Sequence, residues 1–180
     1  QWLDRAMEAT NPAREVSEFK AFIATVAEAA KQKKLSEEIQ LDAVEMVRRA
    51  ERALGVAIRD GQQRGEIAKA GSIGGIPPRA ATRSSGGEDL VRVTEYFKHG
   101  DDAFMTYAVA DGVSDEEFDA ALAEARDEGN MSRANVVRKV KQKTRGEQFD
   151  ERLAFIREQG DSGWLSGQIA EHLGVSEQWV

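Results

Sequence analysis

Ser36 to Arg64, SEEIQLDAVEMVRRAERALGVAIRDGQQR, keeps one helical period over its whole length. Ile39, Ala43, Met46, Val47, Ala50, Leu54, Ala57 and Ile58 recur three and four residues apart, and Ser36 stands where an N-cap belongs. About 29 residues of helix reach roughly 43 Å at 1.5 Å per residue. A helix of that length with one apolar face needs partners. The reading is therefore a mainly α chain in which this helix packs on its neighbours and, through what they leave uncovered, pairs with a second copy as a homodimer through residues 36–64. Arg48, Arg49, Arg52, Arg59 and Arg64 lie along it. They can track a phosphate backbone, but the interleaved Glu45, Glu51 and Asp60 favour a solvated face.

Upstream, Asn11-Pro12 signals a helix start, followed by an apolar stripe of Val16, Phe19, Phe22, Ile23, Val26 and Ala30. Lys31, Lys33 and Lys34 close that helix, where cations suit the negative end of its dipole. Residues 1–70 thus read as an N-terminal helical hairpin. Downstream, residues 71–89, GSIGGIPPRAATRSSGGED, hold too little apolar surface to offset the entropy of ordering, and read as a flexible linker. Arg79 and Arg83 within it suit a minor-groove arm, or simply a solubilising tether. No GK[ST] follows these glycines, so they are not a phosphate-binding loop. Leu90 to Phe97, LVRVTEYF, reads equally as a helix or as the one candidate strand, with Tyr96, Phe97, Phe104 and Tyr107 expected in the core.

Residues 90–146 form a helical region with a basic helix. Ser114 and Glu117 have capping-box spacing, Phe118, Ala121, Leu122 and Ala125 make an inner face, and Gly129 ends that helix. Ser132 then caps SRANVVRKVKQK, with Val136, Val137 and Val140 inward. From Met131 to Gly146 there are six cations, Arg133, Arg138, Lys139, Lys141, Lys143 and Arg145, and no acid. Clustered cations in an acidic protein suit phosphate contact, because they release counterions on binding DNA. Asn135, expected on the exposed side, can read an adenine edge. The alternative is intramolecular: Asp111 to Glu128 holds eight acidic residues, which a hairpin would set against the basic helix.

With 180 residues, 41% hydrophobic and 32% charged, the composition is that of a soluble globular protein. A net charge of -7 confines any DNA contact to a local patch. No apolar run approaches the roughly 20 residues of a membrane span, and the lack of cysteine excludes thiol chemistry and is compatible with the cytoplasm. His99 and His172 have no metal-binding partner spacing, and Asp101-Asp102 and Asp115-Glu116-Glu117 suit helix starts, so no catalytic residue, metal or cofactor is expected.

The end of the chain, Gly167 to Val180, GQIAEHLGVSEQWV, resembles a helix-turn-helix DNA-binding domain. Ile169, Ala170 and Leu173 share one face and leave Gln168, Glu171 and His172 to solvent. Gly174 stops the helix, Val175 fills the corner, and Ser176 starts a second helix with Val180 buried. The chain ends five residues into that recognition helix and begins with Gln1, which suggests an excerpt of a longer protein. Arg48 to Gly71 and Asp111 to Val140 resemble segments of uncharacterised proteins of actinobacteria, their phages and integrated elements, and lack the arginine-rich nucleotide motif of partition-protein nucleases and clamps. The resemblance implies double-stranded DNA as partner, sequence-specific binding in transcription regulation, and a phage or mobile-element repressor. Gln168, Ser176, Glu177 and Gln178 would face the DNA with the basic helix. A helical protein-interaction module without DNA binding is the alternative.

Overall fold

The computed structural model describes residues 1–68, 91–97 and 99–176, backbone alone at 147 and 148. Its α-helices are α1 (Trp2–Met7), α2 (Pro12–Gln32), α3 (Glu37–Arg64), α4 (Gly100–Tyr107), α5 (Asp115–Asp127), α6 (Arg133–Asp161) and α7 (Ser166–Leu173), so the chain is mainly α. Several starts have the expected chemistry. The Asn11 side chain accepts from the Arg14 amide at 3.2 Å, and Ser132 accepts from the Asn135 amide. Ser114 and Glu117 form the reciprocal box, at 3.1 and 2.7 Å. Of the segment LVRVTEYF, Val91 to Phe97 are described and form neither an α-helix nor a strand: Val91 makes one isolated parallel bridge to Ile67, and Val93–Glu95 is a single 3-10 turn. The linker at 71–89, with Arg79 and Arg83, lies outside the described residues.

α2 folds back along α3, and α3 is the axis on which the rest assembles. On one side Val16 of α2, Leu54 and Ile58 of α3, and Ile67 and Phe97 form an apolar core. On the other, Phe118 and Leu122 of α5 meet Val136, Val137 and Val140 of α6, with Leu41 and Val44 of α3 packed against them. The described residues between 91 and 146 are therefore built onto the same helix as residues 1–30. The homodimer expected through 36–64 meets an obstacle here. From Ala50 to Gln62 no residue of α3 is exposed, and the exposed apolar residues of this helix are Ile39 and Met46 near its start.

Four of the five arginines along α3 form neither a solvated face nor a phosphate track; the fifth, Arg64, is exposed and pairs with nearby Glu66 at 2.9 Å. Arg48 donates to the Met131 carbonyl at 3.1 Å, and Arg52 to the Val109 and Val113 carbonyls at 3.2 and 2.7 Å and to Asp115. Arg49 reaches Asp119 at 2.6 Å, while Arg59 pairs with Asp111 at 2.8 Å and lies 4.0 Å over the Tyr107 ring. Each of these four guanidiniums thus holds the C-terminal half against α3, and α5 answers with Arg126 on Asp42 and Glu45. Beneath them sits Glu51, 3% exposed, in contact with Lys20 of α2, Arg48 of α3 and Arg133 of α6. Arg133 also binds Asp102 of α4 at 2.5 Å, so one ionic cluster ties four helices together.

Close approach of α3 and α4 depends on Gly55. A Cβ there would lie 2.7 Å from the Ala110 Cβ and 3.0 Å from the Thr106 carbonyl oxygen, neither of which is a flexible tip. Gly55→Ala should therefore lower stability by about 1–3 kcal/mol despite the higher helix propensity of alanine. Chemical denaturation of the two proteins checks this; an unchanged or higher midpoint would mean the helices can part at no cost.

Candidate nucleic-acid interface

The six cations between Arg133 and Arg145 are placed by the helical geometry of α6, and they divide into two sets. Arg133, Lys139 and Lys143 turn toward the body. Lys139, 6% exposed, binds Glu128 at 2.7 Å and Glu124 at 3.5 Å, and Lys143 binds Glu124 at 2.5 Å, so the acidic α5 and basic α6 are a charge-matched pair. Asn135 is not on an exposed side. It is buried, its amide donating to Glu128 and to the Asn130 carbonyl at 3.0 and 2.9 Å, where it closes the turn between the two helices. Base reading by Asn135 is excluded by that burial.

Arg138, Lys141 and Arg145 form the second set. They are three and four residues apart, hence on one stripe about 10 Å long, and all are exposed. None has an ion pair among the described residues; Arg138 donates to the Asn135 side chain at 2.6 Å. Phe104 of α4 stands beside them with 59% of its surface exposed, and the Lys141 ammonium lies 5.2 Å from its ring centre. The ring was expected in the core. Thr106 is the buried side chain of α4, and Ala103, Met105 and Tyr107 pack against the two cores beside it, which leaves Phe104 outside. A groove of about 380 Å³ runs on one side of it, lined by Met105, Arg138, Lys141 and Arg145. A second, of about 600 Å³ and also reaching Lys141 and Arg145, opens between Phe104, Tyr107 and Asp111.

α6 does not stop at Gly146 but continues to Asp161. Its distal half carries α7: Phe155 stacks on His172 at 5.0 Å and meets Trp164 edge-on at 6.4 Å. His172 is exposed, as expected, and besides stacking on Phe155 it meets Trp164 edge-on at 6.1 Å. Ile169 and Ala170 are buried as the pattern implied, and Gly174 ends α7 with φ +64°, the Val175 amide returning to the Ala170 carbonyl at 3.0 Å. Gln168 is exposed, but its side-chain oxygen accepts from the Leu165 amide at 3.0 Å and so caps α7. Ser176 is exposed beyond the corner, and Glu177 and Gln178 lie outside the described residues. Lys141 and Phe155 are fourteen positions apart on one helix, about 21 Å at the helical rise.

Paired acids set the pH response. Hydrogen bonds from Arg133, Lys143 and Lys139 hold the carboxyls of Asp102, Glu124 and Glu128, respectively, below their ordinary values. Such groups stabilise the fold above the unfolded-state pKa, and the contribution is lost as pH falls through the depressed folded value. Stability should therefore hold down to about pH 5 and drop progressively below about pH 4. Thermal melts across that range test the sign; a rise on acidification would contradict these pairings.

Among the described residues no three His, Asp or Glu side chains converge as a metal site, and no helix is long and apolar enough to cross a membrane. Compared with protein-family models, with curated proteins and with solved structures, the chain matches none.

Proposed function

We propose that the chain binds double-stranded DNA in a sequence-specific manner and acts in transcription regulation, as a repressor of the phage or mobile-element kind. The observation that carries this reading is the row Arg138, Lys141 and Arg145, exposed and free of ion pairs among the described residues on a protein of net charge -7. In an acidic protein whose neighbouring α6 cations Arg133, Lys139 and Lys143 are matched to carboxylates, an unmatched row is a place for phosphates. The same helix carries α7 and the left-handed Gly174 corner, so phosphate contact in its first half would orient the segment from Gln168 to Ser176 toward base edges.

Binding to a mixed pool of short duplexes, followed across salt concentrations, tests the proposal. Three phosphate contacts predict a fall in log affinity with log salt at a slope of about -2.7. Absence of binding at low salt, where attraction is strongest, would end it. A second reading, a helical protein-interaction module, draws on the exposed Trp2 and Phe22, which are 68% and 64% accessible. Phe22→Asp would abolish that activity and leave DNA binding by α6 intact.

A further inference from the structure

The apolar stripe read from α2 is split between two faces. Val16 and Ala30 are buried against α3, but Phe22 and Val26 point to solvent, 64% and 38% exposed. The outer set is Glu15, Phe19, Phe22, Val26, Ala29 and Lys33, spaced 4, 3, 4, 3 and 4. That is the alternating spacing of a coiled-coil seam, which keeps one line of side chains facing a partner helix. It is also palindromic in chemistry. Turned about a twofold axis level with residue 24, the row sets Phe22 against Val26, Phe19 against Ala29, and Glu15 against Lys33. Large side chains meet small ones, and the acid at one end meets the base at the other.

We propose that α2 pairs antiparallel with α2 of a second copy of the chain, through this seam. Glu15 and Lys33 have no ion pair among the described residues and are exposed, so both are available across the interface. At the Glu15 end a groove of about 490 Å³ separates α1 from α2, lined by Trp2, Arg5, Glu15, Glu18, Phe19 and Phe22. The partner's Ala29 and Lys33 enter there, its small residue clearing the Phe19 ring and its ammonium reaching the Glu15 carboxylate. A parallel pair would oppose Glu15 to Glu15 and Lys33 to Lys33, and like charges decide against it. The interface differs from one through α3, whose middle has no exposed residue from Ala50 to Gln62.

Sedimentation equilibrium of the full chain without nucleic acid reads this directly, apart from any DNA binding. A dimer is expected, with Phe22→Asp raising its dissociation constant at least a hundredfold while circular dichroism stays unchanged, since Phe22 is exposed. Glu15→Lys alone should weaken the dimer, and Glu15→Lys with Lys33→Glu should restore it. Because the sequence has no cysteine, chains carrying Glu15→Cys and Lys33→Cys can be mixed under oxidation. Disulfide-linked heterodimers are expected in excess over either homodimer. A monomer at 100 µM, a dimer indifferent to Phe22→Asp, or a preference for homodimeric cross-links would each overturn the proposal.

Discussion

Glu51→Ala is expected to destabilise the protein by about 3–5 kcal/mol, because it leaves half-buried cations facing one another without their shared, buried carboxylate. Glu51 is 3% exposed and in contact with Lys20, Arg48 and Arg133. In a chain of this size each kcal/mol moves the melting temperature by about 2–4 °C, so a drop of roughly 10 °C is the observable. Lys20→Met should behave differently. The cluster has three cations, Lys20, Arg48 and Arg133, and two carboxylates, Glu51 and Asp102, so the lysine is the surplus charge. Burial lowers the Lys20 pKa despite the nearby Glu51, which marks its charged form as a cost to the fold that is relieved as pH rises through that lowered value. Lys20→Met should then cost far less than Glu51→Ala, or stabilise. Urea melts of the two variants decide it: equal losses would mean that the pairs act independently and no charge is in excess.

This contrast shows what the sequence could and could not carry. Helix starts were legible because they rest on local chemistry: Asn11, Ser114 and Ser132 each bond an amide three residues away. The stop at Gly174 is equally local, since its positive φ suits a residue without a Cβ. The use of a charge depends on residues far away in the chain. Arg49, Arg52 and Arg59 find acids between fifty and seventy positions downstream. Nothing in their own helix distinguishes a solvated guanidinium from such a clamp. Lys139 and Lys141 are two positions apart and look alike in sequence, yet one is buried among acids and the other is exposed over an aromatic ring. Helical spacing separates them only once Val136, Val137 and Val140 are known to face α5, which puts residues 138, 141 and 145 outside. The α2 stripe misled for a related reason. Apolar residues at three- and four-residue spacing were assigned to one face, while the structure uses two neighbouring faces, one for α3 and one left open.

Replacing Arg138, Lys141 and Arg145 together by alanine is expected to abolish most duplex binding at low salt and to flatten the remaining salt dependence. Each phosphate contact contributes about 0.9 to the slope of log affinity against log salt, so loss of all three should remove about 2.7 units. Affinity should fall on every duplex alike, because a phosphate contact does not read sequence. The fold should survive, since all three residues are exposed and none is ion-paired among the described residues. Lys139→Gln supplies the contrast: Lys139 is just as basic in sequence but binds Glu124 and Glu128, so its loss should lower stability and leave the salt slope unchanged. Phe104→Ala divides the surface further. If the ring stacks on exposed bases, its removal should weaken binding to single strands more than to duplexes, since stacking needs an unpaired base. An equal effect on both would make the ring a support for Lys141, whose ammonium it holds at 5.2 Å. Should the triple variant bind with unchanged slope, the phosphate contacts do not lie on this row and must be sought elsewhere on the chain; the protein-interaction reading takes over only if the unaltered protein fails to bind duplex at low salt.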